Sequence, residues 1–199
     1  MSDPRERLSE LRPTFTAGQA RDHGLTSRYL GRLAAAGEIF ELSRGVYRRT
    51  DAPESAHLDL IAVHLRAPHA VVCGESALTL HELIDDIPLE VHFAVPRGTH
   101  RPTIVIPPVR VSQYAADTFS FGIEDFEAAP GETVPVYSAA RSIVDEMRLG
   151  GTAGRPTALS ALNRFLRRRG SAGVAEIRDA AGKLGATSKI RPVIEAVLA

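Results

Sequence analysis

Glycines at 24, 37 and 45 cut the stretch "FTAGQARDHGLTSRYLGRLAAAGEIFELSRGVYRR" into short pieces, and that punctuation constrains the fold more than any other feature. Thr16 followed by Gln19 matches a capping box, which starts a helix. Ala17, Ala20 and Leu25 can face inward, and Gly24 fits the position just past a helix end. Thr26 is a second N-cap candidate. The next helix is expected over about 27–36, where Leu30, Leu33, Ala34 and Gly37 follow helical spacing and form one stripe. Its outer face carries Ser27, Arg28, Gly31 and Arg32. "EIFEL" and "GVYRR" read as short β segments, joined by Ser43-Arg44 and a glycine free to take positive φ. Upstream, residues 3–12 read as a short helix stopped by Pro13.

The order helix, helix, turn, helix, hairpin within 50 residues is that of a winged helix-turn-helix. A DNA major groove admits one helix, and small residues such as Gly31 and Ala35 allow close approach. Arg28 and Arg32 lie one turn apart on the outer face, where they can reach bases or phosphates. The hairpin arginines Arg44, Arg48 and Arg49 are expected on the flanking phosphates. The competing reading is a winged helix used only for protein contacts.

Charge divides the chain further. The whole sequence of 199 residues has formal net charge +0, but residues 1–50 hold nine Arg against six acids. Residues 51–154 hold six Arg against fifteen acids, and residues 155–199 hold nine Lys and Arg against three acids. A basic head, an acidic middle and a basic tail suggest segments with different partners. The division expected is a winged helix over 1–50, an α+β middle over 51–150, and a basic helical segment over 151–199. The fold class expected overall is α+β.

In the middle, "LDLIAVHLRAP" reads as a helix ended near Pro68, and "AVVCGESALTLHEL" as a short strand running into a helix. "LEVHFAVP" alternates as a strand with Val91, Phe93 and Val95 on one face, which turns Glu90 and His92 outward. "PTIVIPPVRVSQY" suggests two strands broken by Pro107-Pro108, and "TFSFGIEDFEA" a further one. "VPVYSAARSIVDEMRLG" reads as a strand, then a helix capped by Ser138. "GGTAGRPT" reads as a linker. In the tail, Leu159, Leu162, Phe165 and Leu166 share a face, and Arg164, Arg167, Arg168 and Arg169 cluster toward the helix end. That cluster either pairs with the chain's own acids or forms an exposed patch that serves an outside partner.

Catalytic patterns are weak. The histidines at 57, 64, 69, 81, 92 and 100 match no zinc spacing, so no metal or cofactor is expected. "DDIPLEVHF" places Asp85, Asp86 and Glu90 before a strand, but His92 stands where a nuclease would need lysine. Cys73 ends an apolar run with no base beside it. The single cysteine excludes an internal disulfide. The charged first residues lack an apolar leader, and no apolar run reaches about 18 residues, so a cytoplasmic protein with no membrane contact is expected.

The stretch "FTAGQARDHGLTSRYLGRLAAAGEIFELSRGVYRR" resembles the N-terminal winged helix of the AbiEi antitoxins of type IV toxin–antitoxin systems. "GESALTLHELIDDIPLEVHFAVPRGTHRP" and "VPVYSAARSIVDEMR" are similar to the segments that follow it in that family. The resemblance implies a non-enzymatic repressor that binds inverted repeats in its own operon. It also implies neutralisation of a nucleotidyltransferase-like toxin, without requiring stable contact between the two. By motif, the DNA-binding positions fall on Ser27–Ala36 and the wing at Arg44. The runner-up readings are a winged-helix regulator whose middle domain senses a ligand, and a nuclease-like enzyme.

Overall fold

A computed structural model describes residues 4–198. The chain divides into two compact units. The first takes Met1–His69, Pro102–Val109 and Phe126–Val134, and the second takes Ala70–Arg101, Arg110–Asp125 and Pro135–Ala199. Residues 51–69 therefore belong with the N-terminal unit, and the basic tail belongs with the middle. The three-way charge division does not mark the units, because apolar burial and not charge decides which segments pack together.

In the first unit, helix α1 (Pro4–Ser9) ends before Pro13; the expected start at residue 3 lies outside the described residues. Strand β1 (Thr14–Thr16) follows directly. The sequence reading missed it, since three residues show no period. Thr16 then caps α2 (Ala17–Asp22) as its spacing predicts. The Gln19 backbone N–H donates to Thr16 Oγ1 at 3.2 Å, and the Thr16 N–H donates to Gln19 Oε1 at 2.7 Å. Helix α3 (Ser27–Ala35) starts after Thr26, whose backbone is extended but whose side chain makes no capping bond. Strands β2 (Ile39–Ser43) and β3 (Val46–Arg49) form the wing, and the sheet order is β1-β3-β2, all antiparallel. Leu8, Phe15, Leu25, Leu30, Leu33 and Ile39 form one core, each large aliphatic side chain contributing about 1.5–3 kcal/mol on burial. Helix α4 (Leu58–Arg66) packs against β2.

Strands β4 (Val71–Val72), β5 (Val91–Pro96), β6 (Val109–Tyr114), β7 (Ile123–Ala129) and β8 (Glu132–Tyr137) form a mixed sheet in the order β6-β5-β4-β8-β7. Strand β4 runs antiparallel to β5 and parallel to β8, with Val72 opposite Val136. The proline-rich run yields one strand, β6, and not two. Helix α5 (Gly74–Leu80) follows β4, and α6 (Ala139–Leu149) follows β8 with Ser138 as its cap. Where a linker was expected, α7 begins: it spans Gly151–Lys183 and bends at Gly170, whose φ of 57° and ψ of −136° suit glycine. Helix α8 (Thr187–Leu198) is the last described element. Ile143, Val144, Leu162, Phe165, Ile177 and Ile190 share one core, which is why the tail belongs to this unit.

Inside the same unit, Arg141 is fully buried. It pairs with Asp145 at 3.2 Å, lies 3.6 Å from the Tyr137 ring centre, and donates to the Thr118, Phe119 and Phe121 carbonyls. Among the described residues, no helix is long and apolar enough to cross a membrane.

Candidate nucleic-acid interface

The outer face of α3 follows from its spacing. Leu30 and Leu33 point into the core, so Ser27, Arg28, Gly31 and Arg32 are left exposed. A side chain at Gly31 would project into open space. The Arg32 guanidinium lies 5.8 Å from the Tyr29 ring centre, a cation–π distance that biases its position along the helix.

The wing turns at Arg44-Gly45, and Gly45 takes φ of 75°. Two bonds pin the tip. The Gly45 N–H donates to Glu41 Oε1 at 2.7 Å, and its carbonyl accepts from the Ala17 N–H at 2.8 Å. Arg66 of α4 adds a third support, donating to the Arg44 carbonyl at 2.6 Å. Arg44 is thus exposed on a braced turn. No local spacing signal marks Arg66, because its partner lies 22 positions away.

Arg48 does not join this surface. Arg48 is 2% exposed, and its Nη1 donates to Glu132 Oε2 at 2.6 Å and to Thr14 Oγ1 at 2.5 Å, while its Nη2 donates to the Pro53 carbonyl. The expected phosphate contact is therefore corrected: on the short strand β3, Val46 and Arg48 share the buried face. An inward arginine in a strand requires a buried carboxylate, and Glu132 meets that need from a segment distant in sequence. Arg49 is half-buried and binds Asp51 through two bonds of 2.8 and 2.7 Å. That fork holds the Asp51 carboxyl below the usual range.

The tail arginines also turn to the chain's own acids. Arg164 grips Asp85 through bonds of 2.7 and 2.6 Å, Arg168 lies 3.6 Å from Glu82, and Arg169 pairs with Glu176 at 2.6 Å. Arg167, Arg168 and Arg169 are all exposed, and of the four Arg167 alone has no partner among the described residues. His92, expected outward, is buried on β5 with the rest of that strand, because β5 lies inside the sheet and is covered on both faces. Among the described residues, no group of three or more His, Cys, Asp or Glu is placed to hold a metal ion. Cys73 is buried, and burial pushes its thiol up to about 12.

A capped helix, a short turn, a second helix with an arginine face, and a braced two-stranded wing define a winged helix-turn-helix domain. Residues 3–50 match the family described as "Transcriptional regulator, AbiEi antitoxin", so the chain carries an AbiEi antitoxin-type regulator domain at its N-terminus. No curated protein matches the chain.

Proposed function

We propose that this protein is the antitoxin and autorepressor of a type IV toxin–antitoxin pair. The observation that supports this most directly is the exposed Arg28–Arg32 face of α3 beside a braced, Arg44-tipped wing, in a domain that matches AbiEi regulators. Arg28 and Arg32 read bases in the major groove while Ser27 and Gly31 allow the helix close approach; Arg44 contacts the backbone. One winged helix covers little DNA, so two copies occupy an inverted repeat in the operon's own control region. The protein acts in the cytoplasm as a regulator and not as an enzyme. Its functional partner is a nucleotidyltransferase-like toxin encoded alongside, and the tail patch of Arg164, Arg167, Arg168 and Arg169, of which Arg167 has no partner among the described residues, serves that neutralisation. The alternative is a regulator with a ligand-sensing second unit and no toxin, which the polar cavity described below favours.

The test is binding of the full chain to the DNA upstream of its gene across a salt series. Each phosphate contact contributes about 0.9 to the log–log salt slope. Arg44→Ala flattens that slope by roughly one unit and weakens all sequences alike. Arg28→Ala or Arg32→Ala instead loses about 1–3 kcal/mol at a single base position. Binding indifferent to salt and to all three substitutions overturns the DNA assignment. Co-expression with the neighbouring gene separates the two readings: rescue from its toxicity supports the antitoxin, and a harmless neighbour supports the ligand-sensing regulator.

A further inference from the structure

The second unit contains an open cavity of about 190 Å³ that the regulator reading does not use. Its walls come from five elements. Glu75 stands in the first turn of α5, directly after Cys73 and Gly74. His92 comes from β5, Arg110 and Tyr114 from β6, and Glu146 from the last turns of α6. The start of α7 closes it with Gly154.

Three glycines shape the cavity around one carboxylate. A Cβ on Gly150 or on Gly154 would collide with Glu146 Oε1. A Cβ on Gly74 would lie 3.7 Å from Glu146 Oε2 and 3.1 Å from His92 Nδ1. The bare Gly74 backbone therefore leaves room between the imidazole and the carboxylate.

Several polar side chains of the lining lack hydrogen-bond partners among the described residues. His92 is only 9% exposed, and its ring makes no hydrogen bond among the described residues. Only its backbone is engaged, with the N–H donating to Ser76 Oγ at 2.9 Å. Glu75, Glu146 and Arg110 likewise have no side-chain ion pair or hydrogen bond among the described residues. Asp145, by contrast, is neutralised by Arg141 at 3.2 Å and Arg148 at 2.7 Å. Burial and then the nearby Glu75 charge raise the Glu146 pKa, so the two carboxylates feel one another. Burial lowers the His92 pKa, which leaves a neutral ring able to accept a hydrogen bond.

This lining selects a ligand class. Two carboxylates with no hydrogen-bonded partner among the described residues, offset only by the nearby Arg110 charge, and a neutral imidazole suit a group with several N–H donors and a positive charge. The exposed Arg110 fork at the cavity suits a carboxylate on the same molecule. The volume corresponds to about six waters at their liquid share of roughly 30 Å³ each, which admits a molecule of amino-acid size. We propose that this cavity binds a small zwitterionic amine, its ammonium group between Glu75 and Glu146 against His92, and its carboxylate on Arg110.

The experiment titrates the full chain with each standard L-amino acid, with putrescine and with acetate, read by calorimetry and by amide chemical shifts. At least one amino acid binds, while putrescine and acetate, each carrying half of the recognised chemistry, bind more weakly. Glu75→Gln and Arg110→Ala each weaken that amino acid by about tenfold to a hundredfold. Gly154→Ala places a methyl group on the Glu146 carboxylate and abolishes binding. Alanine is the better helix former, so this variant stays folded, which circular dichroism checks. Absence of binding by every amino acid, or tighter binding of putrescine or acetate than of any amino acid, overturns the proposal. Binding that survives all three substitutions overturns it as well. The outcome is independent of whether the first unit binds DNA.

Discussion

Replacing Arg48 with alanine distinguishes a DNA contact from a structural arginine. Arg48 and Glu132 are 2% and 7% exposed at their side chains, with 2.6 Å between Nη1 and Oε2. Removing one member of such a pair leaves the other charge buried, which costs about 3–5 kcal/mol. Total stability of a domain is about 5–15 kcal/mol, so the first unit is left marginal. For a unit of this size each kcal/mol lowers the midpoint by about 4–8 °C. Removing both partners, as Arg48→Met with Glu132→Leu, removes the orphaned charge. Recovery is partial, because the Thr14 N–H, which donates to Glu132 Oε1 at 3.1 Å, and the Pro53 carbonyl then lose partners. Each such buried group carries a penalty of about 1–3 kcal/mol. The assay is denaturant unfolding of the wild type, both single alanine variants and the double variant, with DNA salt slopes measured on whatever remains folded. Wild-type unfolding of Arg48→Ala together with a flattened salt slope would refute the buried-pair reasoning and restore Arg48 to the DNA surface.

Other substitutions test the remaining local arguments. Thr16→Ala removes the reciprocal cap of α2 and destabilises the first unit by about 1 kcal/mol in urea unfolding. Below pH of about 6.5 the unfolded chain protonates His92 before the folded chain does. Its lowered folded pKa therefore makes the second unit lose stability as pH falls from that point toward the folded value, and above it the group contributes no pH dependence. His92→Gln flattens the unfolding free energy over that window; an unchanged slope contradicts the burial argument. Cys73, buried with its thiol pushed up to about 12, stays unreactive toward a thiol reagent in the native protein at pH 8 and reacts once denatured.

Features that depend on near neighbours were legible in the sequence. The Thr16–Gln19 cap, the Leu30–Leu33 stripe of α3 and the Gly45 turn each close within a few residues, so spacing alone determines them. The exposed face with Arg28 and Arg32 follows from that stripe, since burying one side of a helix exposes the other. The exposed arginine face of α3 was therefore legible in the sequence. Strand β1 was not, because three residues carry no period and it forms only against β3.

Charge destination was decided by tertiary structure. Arg44 and Arg48 look alike on the wing sequence, yet one is exposed and the other buried. The difference is Glu132, 84 positions away from Arg48, which supplies the carboxylate that an inward guanidinium requires. Arg164 and Asp85 are 79 positions apart and meet only because α7 packs in the same unit as α5 and its following loop. His92 was misplaced because alternation assumes one exposed sheet face, while β5 lies inside the sheet with both of its faces covered by other segments. Local spacing settles which side of an element is apolar. Which charges pair, and which polar groups surround a cavity, depends on segments far apart in the chain, and only the packed structure brings those together.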